Sequence, residues 1–532
     1  MAHITELPQE VISHIGRFLT KRDILKSILT CKSLLQSISH LLWRDITLQT
    51  GELPLPVSRL QDNADKVQRL QNIGTIPPEY YHIVFPGLSC LKIHFKGANP
   101  TRRTQGSAVQ EVNNMALIRL NPTIQDLTID LANHNPSNGF WEAITTTLRK
   151  PKSLRLTSVC DLLGRTPVNA FWDVCARFEE VSCHGRDGLL SDLVPPIMFP
   201  GLDRITLGIN TVHSDINNTI IHLQWLKKCP NLTRMRWELA DSELPVVQFA
   251  EALEQTTWRQ LQDLCLTGII ESDQDLSIVV CHLPPTLTSL EMDSKSFGPQ
   301  CFAWLRIHQF ARIRVLRLRE CVQLSSLIVL EILHSCVHLE DLEAFHVALS
   351  DLYANPQPWV CRGLRRLRVY FDNDTDEVDL SQMVFHHLSG LEQLEDLDVD
   401  EDFMWELLLI EPSSTTSPTT TKPHLKKQGP PIQWRLDSGL GQLIRLTRLR
   451  TVHVEKSFDT ARPVDVEWML QHWPHLLELT GPLVKKDRPG DWKVIVKLLE
   501  ARGVKNHNIH FSTGSIPFSR RQRGIMMSVE AK

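Results

Sequence analysis

Three apolar positions recur along this chain in one fixed phrase. An apolar residue is followed by two variable residues, a second apolar residue, one variable residue and a third apolar residue. Leu88-Leu91-Ile93, Leu261-Leu264-Leu266 and Ile313-Leu316-Leu318 are examples. Fourteen phrases begin at Leu88, Ile124, Pro151, Phe178, Leu202, Leu232, Leu261, Leu287, Ile313, Leu339, Leu364, Leu394, Leu449 and Leu476. From Leu232 to Leu364 the steps are 29, 26, 26, 26 and 25 residues, and earlier steps run from 24 to 36. The Pro151 and Phe178 phrases match least well.

Side chains alternate across a strand. The second and third apolar residues of a phrase therefore point to one side, and the residue between them to the other. Leu316-Arg317-Leu318-Arg319 shows the alternation. Stretches with helical spacing follow the phrases, such as Ile220 to Lys228 (Ile221, Trp225, Leu226) and Ser326 to Ser335 (Leu327, Leu330, Ile332, Leu333). Pro86, Pro122, Pro200, Pro230, Pro285 and Pro474 stand two residues before a phrase, where a proline stops the preceding helix. The predicted unit is helix, stop, short strand. Stacked units build an α/β solenoid with a parallel inner sheet and outer helices, whose core grows with each copy.

A slot three residues before the phrase supports this register. It holds Phe85, Leu148, Phe199, Trp258, Phe310, Leu391, Leu446 or Trp473, with Asn121 and Pro284 as exceptions. In four phrases it holds Cys175, Cys229, Cys336 or Cys361, where a free thiol serves as a small apolar group. The 12 cysteines include no Cys-x-x-Cys pair, so a zinc ribbon is not expected.

The first 49 residues follow a different rule. Val11, Ile12, Ile15, Phe18 and Leu19 form an apolar stripe at helical spacing after Leu7-Pro8. Thr20, with Asp23 three residues on, is a capping-box variant that starts a second helix bearing Ile24, Leu25, Ile28 and Leu29. Leu34, Leu35, Ile38, Leu41 and Leu42 make a third stripe. Three short helices barely build a core, so this bundle is expected to complete itself on a partner or on the first repeats.

Composition narrows the function. The chain has 532 residues, 57 Lys+Arg against 61 Asp+Glu, and a formal charge of -4. Broad nucleic-acid binding, which needs a basic surface, is not expected. No apolar run approaches the roughly 18 residues that span a bilayer, and no secretory leader is visible. The expected compartment is cytoplasmic or nuclear. Gly-x-Ser-x-Gly, Walker-type and His-Glu-x-x-His patterns do not occur, so no catalytic residue, metal or cofactor is assigned.

Two resemblances follow. The repeats, with Cys229-Pro230-Asn231-Leu232 as a type example, resemble leucine-rich repeats, which implies a horseshoe over roughly residues 80–512. The N-terminal residues Leu7-Pro8-Gln9-Glu10-Val11, His14-Ile15, Phe18-Leu19, Lys21-Arg22-Asp23-Ile24-Leu25, Cys31-Lys32 and Leu42-Trp43 resemble the three-helix F-box, with Leu34 where that family often has an aromatic residue. The resemblance implies docking on a Skp-type adaptor of a cullin–RING ubiquitin ligase. Leu7, Pro8, Ile15, Leu25, Cys31, Lys32 and Leu34 would lie at or near the docking surface. The alternative is a leucine-rich-repeat scaffold outside any ligase, its N-terminal helices a plain cap.

The organisation expected is a bundle over 1–49, a linker over 50–79, repeats over 80–512 with a Ser/Thr/Pro-rich insertion near 411–432, and a tail over 513–532. Outward strand positions bring Arg236, Arg317, Arg319, Glu343, Phe345, Arg366, Arg368 and Tyr370 into play as a client surface. Arginine and aromatic residues suit an acidic or phosphorylated client segment. The competing reading is a solvated face of cross-strand ion pairs worth little each. The acidic stretch Asp372, Asp374, Asp376, Glu377 and Asp379 lacks the spacing of an EF-hand and reads as an exposed loop.

Overall fold

The structure is a computed structural model. It describes residues 7–49, 55–73, 78–95, 105–131, 134–160, 169–187, 195–209, 216–255, 257–269, 271–294, 296–319, 321, 323–374, 380–399, 432–454, 461–481 and 489–505. The expected insertion (apart from its last residue, Ile432), the tail, and Asp376, Glu377 and Asp379 lie outside these residues. The chain divides into two compact units, Met1–Ile313 with Leu318–Gln323, and Arg314–Arg317 with Leu324–Lys532.

The first unit opens with helices α1 (Gln9–Gly16), α2 (Lys21–Thr30), α3 (Lys32–Ile38) and α4 (Leu41–Arg44). Thr20 caps α2 by accepting from the Asp23 amide at 3.2 Å, as the capping pattern predicts. The third stripe breaks into α3 and α4, so the head has four helical segments rather than three. Ten strands follow: β1 (Asp45–Gln49), β2 (Arg69–Ile73), β3 (Cys90–His94), β4 (Asp126–Asp130), β5 (Ser153–Cys160), β6 (Glu180–Asp187), β7 (Arg204–Ile209), β8 (Arg234–Ser242), β9 (Asp263–Ile269) and β10 (Ser289–Ser294). From β1 to β10 consecutive strands pair in parallel. Strand β11 (Val315–Arg319) has its first three residues in the second unit, which repeats the scheme with β12 (Asp341–Ala348), β13 (Arg366–Asp372), β14 (Asp396–Asp398), β15 (Thr451–His453) and β16 (Glu478–Thr480). Both units have a solenoid-like α/β architecture.

All fourteen phrases become strands, each beginning two residues after its first apolar residue. The two further strands, β1 and β2, show that the array starts earlier than expected. β2 lies in the segment read as a linker. Trp43-x-x-Ile46-x-Leu48 carries the phrase into β1, directly after α4. Val67-x-x-Leu70-x-Asn72 carries it into β2, with the buried Asn72 donating to Tyr81 Oη at 3.3 Å in place of an apolar contact.

In-register pairing converts the repeated leucines into continuous rows. In the second unit Leu316, Leu342, Leu367, Leu397, Val452 and Leu479 are successive partners and all are fully buried. Each contributes about 1.5–3 kcal/mol by burial. In the first unit rings extend the core between repeats. Phe95, Phe140, Trp141, Phe171, Trp172 and Trp225 form a chain of neighbouring rings with centroids 5.0–5.5 Å apart. Such edge-to-face contacts add to the area term.

The slot residues close each repeat against its predecessor. Trp258 Nε1 donates to the Leu226 carbonyl at 3.1 Å, and Trp473 Nε1 to that of Leu443 at 3.3 Å. Asn121, one of the two exceptions, accepts from the Phe85 amide at 2.6 Å and donates to the Leu117 carbonyl at 2.7 Å. Cys175, Cys229, Cys336 and Cys361 are fully buried and unbridged, and burial pushes the Cys336 and Cys361 thiols up to about 12. Among the described residues no helix is long and apolar enough to cross a membrane.

Leu316→Asp places a charge in a row with no polar partner, at a cost on the order of 4 kcal/mol. Thermal unfolding should show the second unit melting early; an unchanged profile would refute the register. His222 gives a second expectation. It is fully buried, neither ring nitrogen has a hydrogen-bond partner, and burial holds its pKa down at about 4 rather than 6.5. The unfolded chain gains a proton there that the folded chain resists, so this contribution is intact above pH 6.5 and lost as pH falls toward 4. Urea titrations of His222→Leu should therefore show a shallower acid slope in that window than the parent.

Candidate functional site

Helices α1, α2 and α3 each bear apolar residues on two faces offset by one residue. The inner stripes supply a core of Ile12, Ile24, Ile38 and Leu41, with Leu19, Ile28, Leu34 and Leu42 packed against it. Gly16 lets α1 approach closely, since a Cβ there would lie 2.5 Å from Leu41 Cδ1. The outer stripes stay in solvent. Val11 and Ile15 stand one turn apart on α1, and Phe18, at 79% exposure, follows from its C-terminal end. Leu25 and Leu29 stand one turn apart on α2, with Leu29 84% exposed, and Leu35 is exposed on α3.

Of the docking residues expected from sequence, Leu7, Pro8, Ile15, Leu25 and Lys32 are exposed. Cys31 and Leu34 are half-buried, and Leu34 belongs to the flank of the core. Val11, Phe18, Leu29 and Leu35, which the sequence placed in the apolar stripes without assigning them to docking, are exposed as well. The signal was present in the width of the stripes, which carry more apolar groups than so small a bundle can bury. Large exposed apolar groups gathered on a small domain mark an interaction surface. The head is joined to the array by α4, which runs into β1, and Lys21 Nζ donates to the Asp45 carbonyl.

The outward strand residues form ion-paired rows. In the first unit Arg319 Nη1 lies 2.9 Å from Glu291 Oε1, and Arg236 Nη2 lies 3.8 Å from the same oxygen. Arg236 Nε also donates to Glu238 Oε1 at 2.8 Å. The other oxygen of Glu238 lies 3.7 Å from His184 Nδ1, across Gly208, where a Cβ would strike the imidazole at 2.6 Å. Ser182 Oγ is 2.9 Å from His184 Nε2. The order serine, histidine, carboxylate evokes a nucleophile with its base, but the setting is wrong. Ser182 is only 4% exposed, and its strand pairs on both sides, which engages the amides an oxyanion would need. Burial, with Arg155 and Arg236, holds the His184 pKa below its ordinary value against the pull of Glu238.

In the second unit Arg317 Nη2 lies 2.6 Å from Asp341 Oδ2, and Arg366 Nη1 lies 3.0 Å from the same atom. Arg366 Nε reaches Asp396 at 3.3 Å. Arg368 bridges Glu343 at 3.0 Å and Asp398 at 2.7 Å. Burial opposes the charge of Arg368, but Asp398 and Glu343 outweigh it and hold its pKa above the ordinary value. The arginines expected to receive an acidic client are thus committed to carboxylates on their own or nearby strands.

Phe345 is a further correction. Glu343 pairs with Arg368, but the next partner pair is His346 with Tyr370, so Ala344 and Phe345 oppose one residue in a β-bulge. His346 takes the place expected of Phe345, which is 7% exposed. Asp374, in the acidic stretch, accepts from the Ser350 amide at 3.0 Å and from its hydroxyl at 2.5 Å, a local tie within the fold. Among the described residues no group of His, Cys, Asp and Glu could hold a metal ion.

The family model F-box-like covers residues 4–49, so the head is an F-box-like domain. No curated protein matches the chain.

Arg368→Leu removes one partner from each of two carboxylates, of which Glu343 is the more buried. Discounted for solvent on the guanidinium, the loss should be about 1–2 kcal/mol by urea unfolding. Equal stability of the variant would show that the ladder contributes nothing to the fold.

Proposed function

We propose that this chain is the substrate-recognition subunit of an SCF-type cullin–RING ubiquitin ligase. The F-box-like head docks on a Skp-type adaptor, and the array, a leucine-rich-repeat solenoid, holds a client protein on its open strand face. The subunit carries no catalytic step. Its contribution is to bring a client within reach of ubiquitin transfer performed elsewhere, which is catalysis by proximity.

The observation that carries the reading is the outer stripe of the head. Leu7, Val11, Ile15, Phe18, Leu25, Leu29 and Leu35 are exposed on a domain of a family whose members dock on such adaptors. A plain end cap for the solenoid is the second reading, favoured by the direct passage from α4 into β1. A cap needs only an inward apolar face. The outward one has no use in that role, and leaving it in water forgoes about 1.5–3 kcal/mol for each large side chain that a partner could cover.

Phe18→Asp with Leu29→Asp alters two of the most exposed apolar residues and leaves the Ile12, Ile24, Ile38 and Leu41 core intact. The double variant should unfold like the parent and lose co-purification with a Skp-type adaptor. Leu7→Ala with Pro8→Ala should weaken the same capture. Full adaptor capture by the Phe18→Asp, Leu29→Asp protein, or none by the parent, would leave the cap reading standing.

A further inference from the structure

We propose that a polar cleft on the head, between α1 and the junction of α3 with α4, is an oxyanion site that takes the carboxylate of an acidic side chain on the protein docked against the outer stripe. The inference rests on the reading of the head as a docking domain. It adds a charged contact to the apolar one.

The cleft has a volume of about 380 Å³ and is lined by Gln9, Glu10, Ser13, His14, Arg17 and His40. Gln9, Ser13 and Arg17 follow one line of α1 at four-residue spacing, and Glu10 and His14 follow the next. His40, between α3 and α4, stands opposite, and Ser13 Oγ meets its Nε2 across the cleft at 3.4 Å. Arg17 makes no ion pair among the described residues, so its planar fork is uncommitted. The Ser13 hydroxyl and the Gln9 amide are further donors.

The local field favours an anion. Burial, then Arg17, Lys66 and Arg44, hold the His40 pKa below its ordinary value. Arg44 is offset by Asp45 at 3.0 Å, whereas Arg17 is not offset. Glu10 is the single carboxylate of the lining. A metal ion in the cleft would sit beside the Arg17 guanidinium. A phosphate dianion would meet one guanidinium and the Glu10 carboxylate, so a singly charged carboxylate is the better match. The cleft also adjoins the outer stripe, because His14 lines it and sets its ring edge-on to Phe18, with centroids 5.3 Å apart. A protein that covers Val11, Ile15 and Phe18 therefore has the cleft at its edge.

The test uses the full chain with its histidines labelled at Cε1. Sodium acetate, phosphate and chloride are titrated in at matched ionic strength, and the His14 and His40 signals are assigned with His14→Gln and His40→Gln. Acetate should shift both signals saturably, phosphate should bind less tightly, and chloride should leave them in place. Acetate affinity should rise as pH falls from about 7.5 to about 6, since a bound carboxylate favours the imidazolium of His40 amid Glu10, His14, Arg17, Arg44 and Lys66. His40→Gln should flatten that dependence. Arg17 lies outside the Ile12, Ile24, Ile38 and Leu41 core, so Arg17→Gln should fold like the parent. It should abolish the acetate shifts and weaken affinity for a purified Skp-type adaptor about tenfold, and Arg17→Lys should restore part of both. Arg149→Gln, exposed on the array, should change neither. Equal shifts with chloride, tighter binding of phosphate, or acetate shifts retained in Arg17→Gln would overturn the carboxylate site. Adaptor affinity unchanged in Arg17→Gln would overturn the assignment of its occupant. Acetate binding with no adaptor capture by the parent removes the ligase role and leaves the oxyanion site. Full adaptor capture with no acetate binding removes this inference alone.

Discussion

No single repeat of this chain can bury its own apolar face, and that constraint organises everything else. A three-residue strand such as Asp396–Asp398 offers one inward leucine, far too little to offset the entropy of ordering its backbone. Leu397 becomes fully buried because Leu367 lies on one side of it and Val452 on the other. Stability in such an array is a sum of neighbour terms, so each row is only as good as the continuity of its register.

The same register manufactures the open face. Once the leucines are aligned, the residues between them are aligned as well, strand after strand. Arg368 meets Glu343 and Asp398 because the core rows put them there, not because of any local attraction in sequence. Single exposed pairs of this kind are worth little, but rows of alternating sign exclude like charges from adjacent strands and so reinforce the register. Their cost is functional: arginines engaged in this way are poor receptors for a second anion.

The head obeys the opposite logic. Its helices are too short to bury all of their apolar residues, and on α1, α2 and α3 these are divided between two faces. One stripe closes a core around Ile12, Ile24, Ile38 and Leu41. The other is left for an external surface, which a stacked array with neighbours on either side does not require. A chain built from both parts joins a self-sufficient ladder to a domain whose outer apolar face is still uncovered.

Much of this was legible from residue spacing, because a strand's side-chain period is a property of a few consecutive residues. The fourteen phrases gave the strands, and the slot logic placed Cys175, Cys229, Cys336 and Cys361 in the core. Trp43-x-x-Ile46-x-Leu48 also carried the phrase but was absorbed into the pattern of the head, and the polar Asn72 hid the strand at Leu70. The bulge at Ala344 and Phe345 could not be read, since it exists only relative to β13. Nor could spacing tell which apolar stripe of α1 turns inward, or that Arg317 and Arg366 would share Asp341. The chain alone settled period and side-chain alternation, which depend on near neighbours in sequence. Tertiary structure decided burial, pairing and the polarity of the open face, because these depend on residues about 25 positions away, brought into contact only when the strands align.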